Sequence, residues 1–277
     1  MTPLLPKSYK HFYPFRLATT SFIYPDDYVP NVRLLGSFVD EIELLLFESE
    51  ALPSEHTVRE LVSLSREQAV GYNVHLPLNV SIGHGDSHRR ERAVETLLRV
   101  FDRVAPLSPS TLTLHVPWEN PSLLPEVRDP WKEAVHCSLS ELTAAIGDPA
   151  RISIETLDYP LEWMADVIAT LGLAVCMDFG HLLRRGQDPG LFFRSFASRI
   201  SIIHLHGVEN GRDHLSLTHL PQSADETVRR LLGGFKGVVS LEVFSFGALD
   251  ASLGWLEARL QNYVSLEHRN LIESPAR

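Results

Sequence analysis

The sequence is short of cysteine and of long apolar runs. Its 277 residues include 2 cysteines, Cys137 and Cys176, too few for a disulfide framework and without zinc-finger spacing, as is typical of a reducing cytoplasm. No run reaches the roughly 18 apolar residues that a membrane-spanning helix needs. The first residues lack the basic and apolar regions of a secretory signal. We therefore expect a cytoplasmic protein with no membrane partner.

Positive charge is also scarce. The chain has 25 Lys and Arg against 35 Asp and Glu, a formal net charge of −10. Duplex-binding proteins gain affinity by neutralising phosphates with Lys and Arg, so nucleic acid is not an expected partner. No G-x-G-x-x-G follows the first predicted strand, and no phosphate-loop motif occurs. The apolar fraction of 44% is that of a globular protein, and histidine is abundant at 13 residues.

Short apolar runs rich in β-branched residues alternate along the chain with helical patterns. The predicted strands cover residues 16–20, 42–47, 72–76, 112–116, 152–156, 174–179, 200–206 and 238–244. The predicted helices cover 55–69, 87–104, 131–146, 160–171, 189–198, 224–232 and 249–261. Eight such units in about 250 residues predict one α/β domain, a (β/α)8 TIM barrel, rather than a doubly wound open sheet. We expect this domain to span 1–277, with 1–14 and 265–277 as peripheral extensions.

Polar side chains recur at the carboxyl ends of the predicted strands, where a barrel builds its active site. Strands three to eight carry His75, His115, Glu155, Asp178 followed by His181, then His204 with His206, and Glu242. The segment after strand seven adds Asp213 and His214. His204 and His206 are two residues apart, so strand alternation directs both toward the barrel interior.

A single residue of this kind is more often structural: a histidine satisfied by a hydrogen bond, or a glutamate in a salt bridge inside the barrel. Repetition on six consecutive strands favours a metal centre. Burying so many titratable groups without a counter-charge would cost several kcal/mol each. Zinc, manganese and iron accept carboxylate and imidazole ligands. The sequence therefore predicts divalent metal ions, Zn, Mn or Fe, one to three per chain.

At these residues the sequence resembles the xylose-isomerase-like barrel superfamily, which includes endonuclease IV and many sugar isomerases and epimerases. The resemblance runs from the first to the eighth predicted strand. It implies a metal core on strands five to eight, matched here by Glu155, Asp178, His204 and Glu242. The endonuclease IV branch adds further ligands, matched by His75, His115, His181 and the pair Asp213 and His214, which are adjacent here where the family has Asp-x-His. His206 is an extra candidate ligand, in HLHG where the family tends to have H-L-[NK]-D.

The opening segment RLATTSFIYPDDYVPNVRLLGSFVDEIELLLFES and the later HGVENGRDHLSL resemble the cobamide-remodelling phosphodiesterases of that superfamily. This resemblance implies hydrolysis of the nucleotide loop of a corrinoid coenzyme, giving a cobinamide phosphate and the lower-ligand nucleoside, for corrinoid remodelling or salvage. Ions about 3.5–4 Å apart can generate hydroxide and neutralise the charge of the phosphorane. Either Glu155 or Glu242 could take the proton of the attacking water. We expect a metal-dependent hydrolase of a phosphodiester bond.

The principal alternative is a sugar or sugar-phosphate isomerase or epimerase. In it, Glu155 and Glu242 would act as an acid and base pair around one metal. That chemistry needs only the four-residue core and gives His75, His115 and His214 no necessary role, which favours the hydrolase. An abasic-site DNA nuclease is disfavoured by the net charge, and a non-catalytic ligand-binding barrel by the intact ligand set. Nothing in the sequence indicates an oligomeric state.

Three further residues are candidates for contact with the substrate. Glu48, after the second predicted strand, could orient a ligand histidine or bind a substrate hydroxyl. Tyr24 belongs to an aromatic group that could hold a large flat ligand or pack under the first helix. His84 lies in the segment SIGHGDSHRRER, which could meet a phosphate or a corrinoid amide, or simply begin a solvated helix.

Overall fold

The computed structural model describes residues 2–261, and eight parallel strands in it close into a barrel. They are β1 (Arg16–Thr20), β2 (Glu41–Leu45), β3 (Gly71–His75), β4 (Leu112–Leu114), β5 (Ile152–Glu155), β6 (Ala174–Asp178), β7 (Ile200–Leu205) and β10 (Val238–Leu241). Each strand pairs with its neighbours in the order β1-β10-β7-β6-β5-β4-β3-β2. The predicted (β/α)8 barrel is confirmed.

Helices surround the barrel and pack apolar faces against it. They are α1 (Tyr28–Leu35), α2 (Glu55–Gln68), α3 (Ser87–Val104), α4 (Pro125–Ile146), α5 (Ala165–Leu171), α6 (Phe179–Arg184), α7 (Pro189–Phe196), α8 (Gln222–Gly234) and α9 (Phe246–Leu260). Local chemistry sets several ends: the Ser54 hydroxyl caps α2, and Asp86 accepts from the first backbone N–H groups of α3. Gly147 and Gly172 end α4 and α5 in the left-handed conformation.

Five elements differ most from the predicted ones. Helix α1 was not predicted, and α5 begins at Ala165 rather than at residue 160, after a 3-10 turn over Leu161–Met164. Helix α4 begins at Pro125 rather than at 131, since proline is well accommodated in the first helical turn. Helix α6 follows β6 directly, with Asp178 as its N-cap. An antiparallel hairpin of β8 (Gly207–Glu209) and β9 (Arg212–Leu215) follows β7.

The segment that precedes β1 packs into the core. Leu5, Tyr9, Phe12 and Tyr13 are buried there, and the Tyr9 N–H donates to the carbonyl of Phe38. The predicted peripheral extension at 265–277 lies outside the described residues. None of the helices described within 2–261 is long and apolar enough to cross a membrane. A cytoplasmic location stays a prediction.

Candidate metal centre

The carboxyl ends of neighbouring strands bring the predicted imidazoles and carboxylates together inside the barrel mouth. Glu155, Asp178 and His204 are completely buried, and Glu242 is 6% exposed. The register places Asp178 of β6 beside His204 of β7. Parallel pairing aligns the strand ends at one face, so residues far apart in the sequence share one cavity.

Glu155 is the hub of one half of this cluster. His75 Nε2 lies 3.1 Å from Glu155 Oε2, and His115 Nε2 lies 2.6 Å from the same oxygen. His204 Nδ1 lies 3.3 Å from Glu155 Oε1. Burial alone would raise the pKa of Glu155, but the charges of His115 and His204 hold it well below its ordinary value. Glu155 is therefore ionised at neutral pH.

A group of four carboxylate and imidazole side chains converges on one point. Each of Glu155, Asp178, His204 and Glu242 offers a ligand atom, and these atoms all lie within 4.8 Å of one another. His75, Glu155 and His204 form a second group by the same measure. Glu155 and His204 belong to both groups, but a histidine nitrogen binds one ion, so only the Glu155 carboxylate could bridge two metal positions.

Three histidines form a separate group over the neighbouring strands. His181, His206 and His214 each offer a nitrogen within 4.8 Å of the other two. His206 Nε2 lies 3.2 Å from Asp178 Oδ1, and the backbone N–H of His214 donates to His206 Nδ1 at 3.0 Å. Gly180 makes this packing possible, because a Cβ at that position would lie 2.0 Å from His206 Cε1. The D-F-G-H segment thus supplies both a ligand and the space for another.

The hairpin of β8 and β9 decides which residue of the Asp213–His214 pair enters the centre. Asn210 and Gly211 form its turn with φ of 52° and 76°, as in Asn-Gly hairpin turns. His214 returns toward Glu242, its Nδ1 3.6 Å from Glu242 Oε2. Asp213 points the other way and pairs with Arg184 of α6. Asp213, predicted as a ligand, is in none of the groups of candidate ligand atoms found within residues 2–261, and its role as a ligand stays a prediction.

The buried imidazole and carboxylate atoms of this cluster do not satisfy one another fully, and divalent ions would satisfy them. His115 Nε2 and Glu242 Oε2 are buried and have no aligned hydrogen-bond partner within residues 2–261, although each lies near a group of opposite charge. Carboxylates, chiefly Glu155, raise the pKa of His75 to about 9 against the lowering by burial. Asp178 likewise raises the pKa of His206 to about 9. Protons thus occupy positions that a divalent cation would take.

Within residues 2–261, none of the three predicted substrate contacts forms a hydrogen bond or an ion pair with this cluster. Tyr24 is buried, its hydroxyl donates to the carbonyl of Pro3, and its ring stacks on Phe246. Glu48 is exposed beyond the end of β2. His84 lines a cavity of about 550 Å³ together with Trp118 and Trp131. Their roles in substrate binding stay predictions.

Sequence reasoning missed two features of the site. Glu43 of β2 is completely buried, with its Oε1 2.9 Å from His204 Nε2. Acidic residues at alternate positions of a buried strand were a usable signal, because alternation sends both into the barrel. The mouth also carries large exposed apolar side chains, Phe47, Leu78 and Phe244. They follow β2, β3 and β10, where short sequence runs do not distinguish a rim residue from a core residue.

A closed parallel barrel with clustered imidazoles and carboxylates at the carboxyl ends of its strands defines a TIM barrel with a candidate metal centre. Residues 35–259 match the family described as Xylose isomerase-like TIM barrel. The chain belongs to that family. A sequence comparison with functionally characterised proteins gives no match.

Solved structures of the same fold include epimerases and a nuclease. A D-tagatose 3-epimerase-like protein is 18% identical, with 90% of this chain and 98% of that one covered and a TM-score of 0.75. The 3-keto-D-glucoside 4-epimerase of E. coli is 15% identical, with coverage of 88% and 99% and a TM-score of 0.68. Endonuclease IV of Thermus thermophilus is 16% identical, with coverage of 88% and 99% and a TM-score of 0.66. At these identities the likeness shows the fold alone.

Several of these solved structures are epimerases. Cleavage of a cobamide finds no support among them. The family resemblance predicted from the strand-end residues is confirmed.

Proposed function

We propose that the chain is a divalent-metal-dependent isomerase or epimerase that acts on a sugar or sugar phosphate. The observation that carries the proposal is the convergence of Glu155, Asp178, His204 and Glu242, with ligand atoms within 4.8 Å of one another. Two carboxylates beside one cation position form the acid and base pair that such chemistry needs. The epimerases among the structural neighbours support the same substrate class.

The reaction would proceed by removal and return of a proton on the carbon beside a carbonyl. A bound divalent ion supplies polarisation of the carbonyl and of an adjacent hydroxyl. Glu155 and Glu242 rise from β5 and β10, which are three places apart around the barrel. The charge of His204 lowers the pKa of Glu242 despite its burial, so this carboxylate is ionised. Glu242 also reaches solvent, unlike Glu155, and we assign it the removal of the proton. In an isomerase the protonated Glu242 would return that proton to the neighbouring carbon; in an epimerase Glu155 would first have to take up a proton in order to donate it to the opposite face.

Solvent exchange tests the proposal directly. The chain, loaded separately with Zn, Mn or Fe, is incubated in D2O with ketoses including D-tagatose, D-fructose and L-ribulose, and with sugar phosphates. We expect deuterium beside the carbonyl by NMR, and a rate at least about 100-fold lower for Glu242→Gln. Glu209→Gln, on the exposed hairpin, is the control and should keep the rate. Absence of exchange with every metal and sugar would refute the proposal.

Metal-assisted hydrolysis of a phosphodiester is the second candidate, favoured by the group of His181, His206 and His214. Isomerisation at the four-residue group leaves these histidines without a role, whereas hydrolysis uses two or more ions. Large apolar side chains at the mouth, Phe47 and Phe244, also suit a substrate bigger than a free sugar.

Metal stoichiometry and product analysis separate the two candidates. One ion per active chain favours the isomerase, and two or three favour the hydrolase. A corrinoid coenzyme is the substrate that the sequence resemblance implies, and its cleavage would appear by mass as a cobinamide phosphate and a nucleoside. Hydrolysis that survives complete chelation would refute the second candidate.

A further inference from the structure

Glu43 places a buried negative charge beneath the proposed metal centre. It lies on β2, is completely buried, and accepts a hydrogen bond on Oε2 from Ser240 Oγ at 2.5 Å. Its Oε1 lies 2.9 Å from His204 Nε2. Both atoms are buried without an aligned hydrogen-bond partner within residues 2–261, so their contact is a close ion pair. An unpaired buried carboxylate oxygen is costly, so each atom depends on the other.

The opposite edge of the same imidazole faces the centre. His204 Nδ1 lies 3.3 Å from Glu155 Oε1 and 3.3 Å from Glu242 Oε2. The ring therefore has one nitrogen directed at the cluster of ligand atoms and the other at Glu43. A histidine that binds metal through one nitrogen donates the N–H of the other, and a carboxylate acceptor fixes both tautomer and orientation.

Glu41, two residues earlier on β2, shows what a purely structural glutamate looks like here. It is also buried, but its charge is met by Arg16 at 3.0 Å and by side-chain donors from Asn73 and Ser110. Within the described residues Glu43 pairs with no Lys or Arg, and its ion pair is with His204. A buried ion pair contributes little stability by itself, so stability alone does not account for this carboxylate.

We propose that Glu43 is a positioning residue, which holds His204 in the tautomer and orientation that direct Nδ1 to a divalent ion. The proposal rests on the metal centre of the proposed function, but not on the reaction catalysed there. Ser240 belongs to the same arrangement, because its hydroxyl holds the other oxygen of Glu43. Removal of the negative charge should weaken metal binding while the four ligand side chains remain.

The test is Zn(II) affinity, measured by competition with a chromophoric chelator, on wild type, Glu43→Gln, Glu41→Gln and Ser240→Ala. We expect affinity to fall about 10–100-fold for Glu43→Gln, to fall less for Ser240→Ala, and to stay within about threefold for Glu41→Gln. Circular dichroism establishes that each variant is folded. The Co(II) spectrum should change for Glu43→Gln and not for Glu41→Gln, a difference that a merely structural role would not produce.

Wild-type affinity in folded Glu43→Gln would overturn the proposal. If that variant does not fold, Ser240→Ala decides, and unchanged Zn(II) affinity there would overturn it. Failure of the wild type to bind Zn(II) would remove the metal centre itself and the proposal with it. Zinc binding without sugar exchange would refute only the proposed function, since the loss of affinity in Glu43→Gln would still support the role of Glu43.

Discussion

Addition of one methyl group at Gly180 should disturb the candidate metal centre, because it would displace the ring of His206. A Cβ there would lie 2.0 Å from Cε1 and 2.6 Å from both nitrogens of His206, whereas ordinary contacts begin at 3.4 Å. His206 cannot easily yield, because it is buried, contacts Asp178 at 3.2 Å and accepts from the His214 N–H. In Gly180→Ala, either the ring or α6 must therefore move by about 1.4 Å, the difference between those two distances.

Two opposing effects set the stability of Gly180→Ala. Alanine favours a helix over glycine by about 1 kcal/mol, while forcing a methyl group into a packed site costs about 1–3 kcal/mol. The net loss is about 0–2 kcal/mol, which leaves the protein folded. Metal binding has no such compensation, because a displaced His206 no longer meets His181 and His214. We expect a lower metal content per chain, measured by mass spectrometry after dialysis against Zn(II), with a small change in the melting temperature of the metal-free protein.

The matched control is Gly254→Ala, in α9, where a Cβ meets nothing within 4 Å. It should keep the metal content of the wild type and gain slightly in stability. The reasoning would be refuted if Gly180→Ala bound as many ions as the wild type with unchanged affinity. A parallel loss in Gly254→Ala would likewise show that the effect is not specific to His206.

Further predictions concern protons and the ligand set. Because the pKa values of His75 and His206 are raised from 6.5 to about 9, their protonation stabilises the metal-free fold below pH 6.5, and this contribution is lost as pH rises through about 9. The pKa values of His204 and His181 are raised as well. Zn(II) binding near pH 7.5 should therefore release protons, measured by titration calorimetry in buffers of different ionisation enthalpy; zero release would contradict it. Asp213→Asn should keep the metal content, since Asp213 pairs with Arg184. Asp178→Asn should lose at least about tenfold in Zn(II) affinity, measured by competition with a chelator. Equal losses of affinity in the two variants would contradict the assignment of Asp178 rather than Asp213 to the metal centre.

The barrel could be predicted from the sequence because its strand pattern and its helix pattern both depend on residues close together in the chain. Apolar β-branched runs and helical spacing depend on a few neighbouring residues, and eight alternations leave few topologies. Helix α3 follows the predicted bounds at both ends, where a strong amphipathic pattern meets an Asp86 cap. Helix α6 was missed because six residues directly after a strand are too short for a periodic pattern.

The predicted centre came from strand-end chemistry, and its limits have the same origin. A residue at the carboxyl end of a parallel strand lies at the barrel mouth regardless of which side chain it contacts there. His75, His115 and Glu155 could therefore be predicted to lie together. Asp213 required knowledge of the hairpin, for which the Asn210–Gly211 turn was the readable signal. The left-handed backbone of His214 also interrupts regular alternation in β9, and no sequence pattern indicates it.

Strand alternation could predict that Glu43 points into the barrel, but not which residue it contacts there. Its partner His204 is on β7, and β2 and β7 are separated by β1 and β10 around the barrel, so no sequence spacing relates them. Only closure of the barrel brings the two side chains to 2.9 Å. Ligands to a metal share a chemical type that can be recognised residue by residue, whereas a carboxylate that orients a ligand has the composition of any structural salt bridge. The contrast with Glu41 rests on what surrounds each carboxylate, which is why metal affinity rather than sequence pattern must separate them.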